Sequence, residues 1–166
     1  MSRLDSFIAR MQAQRVLLNA TAAELKSAAN ELPGPVFELG LGNGRTYDHL
    51  REVMPDRRIV AFDRSLVANP RSVPPADDLI LGEIAETGPE FARRFGSIGA
   101  LLHADLGNGV SADDTRLQQW LPATVLAMLR SGGLVLTSTQ LTHPHLRERR
   151  LPQDVPPGRY FIYRRA

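Results

Sequence analysis

Glu38-Leu39-Gly40-Leu41-Gly42-Asn43-Gly44 follows directly on Val36-Phe37 and runs into Arg45-Thr46-Tyr47-Asp48-His49-Leu50. Val36 to Leu39 reads as a short apolar strand, and Tyr47, Leu50 and Met54 recur at helical spacing over Arg45 to Met54. Three glycines therefore sit where a strand hands over to a helix. A glycine loop there lets a ligand approach the backbone, because no Cβ stands in the way and positive φ is accessible. Taken alone, Gly-x-Gly-x-Gly is nearly as well explained by a tight turn. The next segment weighs against that reading. Ile59-Val60-Ala61-Phe62 is a second strand, and Asp63 stands at its end, where a carboxylate can accept hydrogen bonds from both hydroxyls of a ribose.

Further along, Leu79 to Leu81, Ile98 to His103 and Leu134 to Ser138 read as strands, and Tyr160 to Arg164 as the last one. Helices are expected at Pro89 to Phe95, with Pro89 in the first turn, and between Ala112 and Arg130, where Ser111, Asp113 and Asp114 form a start and Pro122 divides the region into two pieces. Before the first strand, Leu4, Ile8, Met11, Leu18, Ala22 and Leu25 describe an amphipathic helix from Ser2 to about Asn30, ended by Leu32-Pro33-Gly34-Pro35. Apolar strands alternating with helices imply an α/β fold: a Rossmann-like, doubly wound, mostly parallel sheet of about six strands. Pro70, Pro74 and Pro75 leave little room for a helix after the second strand. Thr142 to Gly158 is too broken for a crossover helix, so the closing strand is expected to be antiparallel. One domain is expected, with a helix over 1–32, a core over 35–140 and a closing segment over 141–166.

These residues carry a resemblance. Glu38-x-Gly40-x-Gly42-x-Gly44, then Pro55 to Asp63, then Ser131-Gly132-Gly133-Leu134-Val135-Leu136 before a strand, together resemble class I methyltransferases that use S-adenosylmethionine (SAM). More narrowly, Gly42 to Leu50 is similar to a small group of bacterial SAM methyltransferases. The resemblance implies SAM as cofactor and S-adenosylhomocysteine as product. It further implies that Glu38 and the loop Gly40, Leu41, Gly42, Asn43 and Gly44 hold the methionine part, and that Asp63 holds the ribose. Glu83 and Ile84 lie against adenine in that scheme, with Arg64 flanking it. His103-Ala104-Asp105 falls beside the methyl group and its acceptor, so His103 counts with the cofactor residues as well as with the reacting groups.

A sulfonium methyl is already activated, and its transfer can run largely on positioning, so a base is optional. If the acceptor must lose a proton, His103, Asp105 and Tyr47 are the candidates, with His49 beside them. A structural histidine explains His103 equally well. His143-Pro144-His145 lacks a third ligand at motif spacing, and no metal site is expected.

Composition sets outer bounds. The 166 residues hold 20 Lys and Arg against 18 Asp and Glu, for a formal net charge of +2, which does not by itself argue for nucleic acid. Arg147, Arg149, Arg150, Arg164 and Arg165 could hold an anionic acceptor or phosphates, but a solvated face with Glu148 and Asp154 is the plainer account. The absence of cysteine excludes disulfides and thiolate chemistry, and no apolar run is long enough for a bilayer. A soluble, cytoplasmic protein is expected. A small molecule is the expected acceptor, its pocket walled by the first helix, the Gly107 to Ser111 loop, the Thr142 to Gly158 segment or a second copy of the chain. Two other readings stand beside this one: a non-catalytic SAM-binding or interaction protein, and a nicotinamide-dependent oxidoreductase, the latter weakened because the loop is not Gly-x-Gly-x-x-Gly.

Overall fold

The computed structural model describes residues 2–28, 32–106 and 111–166, with backbone alone for 111–114. Helix α1 (Arg3–Ser27) is started by a capping box. The Ser2 hydroxyl accepts from the Asp5 N–H at 3.0 Å, and the Asp5 carboxylate accepts from the Ser2 N–H at 3.0 Å. The helix stops at Ser27, and 29–31 lie outside the described residues. Just beyond it, the Arg57 guanidinium donates to the carbonyls of Leu25, Leu32 and Gly34, supplying partners where a helix end leaves carbonyls without them.

Strands β1 (Val36–Leu39), β2 (Ile59–Asp63), β3 (Leu79–Leu81) and β4 (Gly99–Ala104) run parallel, as does β5 (Leu129–Thr137) beside β4. Strand β7 (Phe161–Arg165) closes antiparallel against β5, as expected. A further strand, β6 (Leu146–Arg149), lies antiparallel beside β7, so the sheet has seven strands rather than about six, in the order β3-β2-β1-β4-β5-β7-β6. Its sequence hides it: Leu146 is buried but Arg147 and Glu148 are exposed, the charged pattern of an edge strand whose order comes from its neighbour.

Two proline readings are corrected. Helix α3 runs Ile84–Phe95, so Pro89 sits inside it rather than in its first turn. Helix α4 runs unbroken over Ser111–Met128 through Pro122. In both, tertiary packing outweighs the local cost of proline. Leu121, Val125 and Met128 are buried on either side of Pro122, and Gly88 of α3 lies so close to α4 that a Cβ there would come within 2.7 Å of the Thr124 methyl. Between β2 and β3 there are only single helical turns, at Pro70–Ser72 and Ala76–Asp78.

Helices α1 and α2 (Arg45–Val53) cover one face of the sheet, and α3 and α4 the other. Side chains alternate along a strand. Val36 accordingly joins Leu17, Leu18, Leu25 and Leu50 on the first face, while Phe37 and Leu39 join Phe62, Phe91 and Leu121 on the second. Phe37, Phe62 and Phe91 meet edge to face, with centroids 5.3, 5.6 and 6.0 Å apart. The same alternation turns Glu38 towards α1 and α2. The first turns of α1 project, leaving Leu4, Phe7 and Ile8 exposed, so the expected apolar stripe packs only in its later part. Among the described residues, no helix is long and apolar enough to cross a membrane.

Candidate functional site

Strand order reverses between β1 and β4, and in such sheets the ligand crevice lies outside the carboxyl ends at the reversal. Two clefts open there. One, of about 200 Å³, lies between α1 and the glycine loop, lined by Arg10, Met11 and Gln14, by residues 40–46 and by Asp105. The other, of about 370 Å³, is bounded by Asp63, Arg64, Glu83, Ile84, Leu117 and Trp120. They share Gly40, Gly42 and Asp105, so both border the glycine loop. A larger cavity of about 430 Å³, reaching from Leu25 to Arg57 and Ile98, lies at the opposite ends of the strands, away from these carboxylates.

The loop is built for this position. Gly44 has φ +86° at the start of α2, and a Cβ on it would come within 2.5 Å of the Ser72 Cβ. Gly42 has φ +50°, and a Cβ there would meet no protein atom within 4 Å, because that side faces open cleft. Its N–H donates to Asp63 Oδ2 at 2.8 Å, while Asp63 Oδ1 accepts from Ser65 N–H at 3.3 Å. Asp63 is thus locked to the loop with acceptor capacity left on each oxygen.

Beneath the loop runs a buried polar chain. Glu38 and His103 are register partners on β1 and β4, both fully buried, with His103 Nδ1 2.7 Å from Glu38 Oε2. The Thr46 hydroxyl donates to the other Glu38 oxygen. His103 Nε2 meets the Tyr160 hydroxyl at 2.9 Å, and Gln14 Nε2 donates to that hydroxyl at 2.9 Å and to Asp105 Oδ2 at 2.5 Å. Burial alone would lower the His103 pKa, but the Glu38 carboxylate beside it and Asp105 beyond outweigh that and raise it. Burial drives the Tyr160 phenol well above its usual range, with Asp105 adding to the effect.

The structure therefore sorts the expected site residues. Gly40, Leu41, Gly42, Asn43 and Gly44 border the first cleft. Asp63, Arg64, Glu83 and Ile84 border the second, with Arg64 and Glu83 forming an exposed pair 4.0 Å apart. Asp105 faces both. Glu38 and His103 lie under the loop and line neither cleft. Tyr47 is buried in the core of the α1/α2 face, its ring 5.2 Å below the Arg51 guanidinium, and it too lines neither. His49 pairs with Asn19 at 2.8 Å, joining α2 to α1.

Arg149 and Arg164 both bind Glu24, at 2.8 and 2.7 Å, rather than Glu148 or Asp154, and Arg165 donates to the carbonyls of Leu126 and Leu129. Among the described residues, no group of three His, Asp or Glu is placed to hold a metal ion. Of the expected acceptor walls, Gly107 to Val110 lie outside the described residues. Arg10, Gln14 and Tyr160 are the site neighbours that sequence reasoning did not single out; Trp120, expected from its place on an apolar helical face to pack its helix onto the sheet, also borders the second cleft. The available signal was Arg10 and Gln14 one helical turn apart on the stripe that packs inward.

The family described as S-adenosyl-L-methionine methyltransferase matches residues 1–165. Among solved structures, the chain is similar to an S-adenosyl-L-methionine methyltransferase from Silicibacter pomeroyi DSS-3, at 43% identity and a TM-score of 0.92 over 100% of this chain and 99% of that one. It shares its fold with the antibiotic-resistance methyltransferase Kmr (12% identity, TM-score 0.54, 87% of this chain and 92% of that one). A fibrillarin/Nop5p complex shares it too (16% identity, TM-score 0.55, 80% and 73%). Comparison with curated proteins returns no match.

Proposed function

The chain belongs to the S-adenosyl-L-methionine methyltransferase family, and from that premise we propose that it transfers the methyl group of SAM to a small-molecule acceptor, with Asp63 and the Gly40–Gly44 loop as the centre of the cofactor site. The observation that carries the reading is Asp63, held at 2.8 Å by the Gly42 N–H on the rim of an open cleft. The residues fit the cofactor. Asp63 keeps acceptor capacity for ribose hydroxyls, Glu83 and Ile84 border the far end of the same cleft with Trp120 as an aromatic wall for a purine, and Gly42 presents open space where a side chain would intrude. Family membership displaces the nicotinamide reading.

When bound, SAM supplies a methyl group on sulfonium sulfur, already activated for displacement. The residues of this chain bind and orient. Asp105, at the junction of the clefts, offers a negative charge to a cationic centre and is the candidate to take an acceptor proton, since His103 and Tyr47 are enclosed. His103 and Glu38 act as positioning groups below the loop. A small-molecule acceptor is favoured by the engagement of Arg149, Arg164 and Arg165 within the protein, which leaves less charge for phosphates.

Calorimetry with SAM tests the first step. Wild type is expected to bind, and Asp63→Ala to weaken binding by about a hundredfold, the scale of two lost hydrogen bonds to a charged group. Equal affinity in the two proteins would remove Asp63 from the site. The enclosure of two expected reacting groups favours one second reading, a SAM-binding protein without catalysis. Release of S-adenosylhomocysteine in an acceptor screen decides between them.

A further inference from the structure

The cavity of about 430 Å³ lies at the amino ends of the strands, where the last turns of α1 and α2 meet the segments that enter β1, β2 and β4. That volume is within the range that encloses a small ligand. Its walls are mostly apolar, formed by Leu25, Pro33, Pro35, Val53, Met54 and Ile98. Among the described residues it shares none with either cleft beside the glycine loop. Methyl transfer as proposed above makes no use of it.

Cations gather at its edge. Lys26, Arg57 and Arg58 border it, and Asp56 is the one carboxylate among the described residues that do so. Arg58 is already engaged, its Nε 2.6 Å from Asp78 Oδ1. Arg57 is half-buried, and its three hydrogen bonds go to the neutral carbonyls of Leu25, Leu32 and Gly34. Burial holds its pKa below the usual value, with no carboxylate beside it to restore it. A guanidinium has five N–H groups, so two of those on Arg57 carry no bond among the described residues. Lys26 stands exposed at the rim, and no described residue pairs with it. An apolar hollow therefore ends at two cations that lack an anion. Bringing an anion to a half-buried cation offsets part of its desolvation, and an apolar body attached to that anion fills the hollow.

We propose that this cavity binds a small monocarboxylate with an apolar chain, the carboxylate between Arg57 and Lys26 and the chain along Val53, Met54 and Ile98. Guanidinium and ammonium donate to a carboxylate through charge-assisted bonds, and the chain removes apolar wall from water. The site stands apart from the cofactor clefts and does not depend on which residues hold SAM. Its ligand bridges the last turns of α1 and α2, the two helices whose earlier residues, Arg10 and Arg45 among them, border the first cleft.

Calorimetry of the full chain with three probes tests the proposal. Octanoate carries both features, acetate the carboxylate alone, and octylammonium the chain with the opposite charge. Octanoate is expected to bind, and acetate and octylammonium each to bind at least about tenfold more weakly. Lys26→Glu, a charge reversal at an exposed position, is expected to weaken octanoate about fivefold to tenfold while the circular dichroism spectrum stays that of wild type. Val53→Phe narrows the cavity and should weaken octanoate as well, with S-adenosylhomocysteine affinity unchanged. Saturating S-adenosylhomocysteine should leave octanoate affinity as it is. Octanoate that binds no better than octylammonium, or equally well to Lys26→Glu, overturns the proposal. Displacement of octanoate by S-adenosylhomocysteine overturns it too, by placing the probe in the cofactor clefts, and so does failure of wild type to bind octanoate.

Discussion

The two faces of the sheet are built on different principles. Under α3 and α4 the core is dry: Phe37, Phe62 and Phe91 pack edge to face, with Leu121, Val125 and Met128 around them. Under α1 and α2 the apolar core is interrupted, beside the carboxyl ends of β1 and β4, by Gln14, Glu38, His103, Thr46 and the Tyr160 hydroxyl. Apolar packing is tolerant of partners, whereas a buried polar chain demands that every member be satisfied. The α3/α4 face therefore holds the sheet together, and the α1/α2 face sets the position of Asp105 and the glycine loop.

Truncation on the dry face should produce the largest stability loss. Phe37→Ala is expected to cost about 3–5 kcal/mol in denaturant unfolding. S-adenosylhomocysteine affinity of the folded variant should stay at the wild-type value, and a loss of affinity exceeding the loss of stability would break the division between the faces. A smaller effect is expected on the polar face: Glu38→Gln keeps the shape but removes the charge, for about 1.5–3 kcal/mol. It should also change the pH response. Because the folded His103 pKa is raised above 6.5, its pairing contributes fully below 6.5 and is lost as pH climbs through the raised value. Wild-type unfolding measured from pH 6 upward should show that decline, and Glu38→Gln should lose it; the same slope in both would detach His103 from Glu38. The smallest effect is assigned to Ser2→Ala, about 1 kcal/mol through loss of the cap. Hydrogen exchange should show fraying confined to the first turns of α1, with cofactor affinity unchanged, since Arg10 lies two turns further in.

What could be read from the sequence follows the same division. The glycine loop, β1, β3, Asp63 and the antiparallel closing strand rest on local signals: glycine at a strand end, apolar runs, prolines that leave no room for a helix. Proline misled where packing decided, at Pro89 and Pro122, because the cost of a lost hydrogen bond is local and the burial that offsets it is contributed by another helix. Strand β6 has too few apolar residues to announce itself. Family motifs put Glu38 and His103 beside the ligand. Their enclosure follows from strand alternation and from a register that pairs residues 65 positions apart, together with Tyr160 near the other end of the sheet. Gln14 looked like one more polar residue on an amphipathic helix; it is buried because Asp105 and Tyr160 meet it there.

The bond from Gln14 to Tyr160 spans 146 residues, and that from Glu24 to Arg164 spans 140. Helix α1 precedes the sheet in synthesis, yet two of the bonds that fasten it wait for residues of the closing strand region. During synthesis the glycine loop and Asp63 can assemble with α1 joined only to earlier segments, through Asn19 and His49 and through Arg57, before the bonds to Tyr160 and Arg164 complete its fastening. A ribosome-bound chain halted before Tyr160 is expected to leave α1 open to protease, and one extended past Arg165 to protect it.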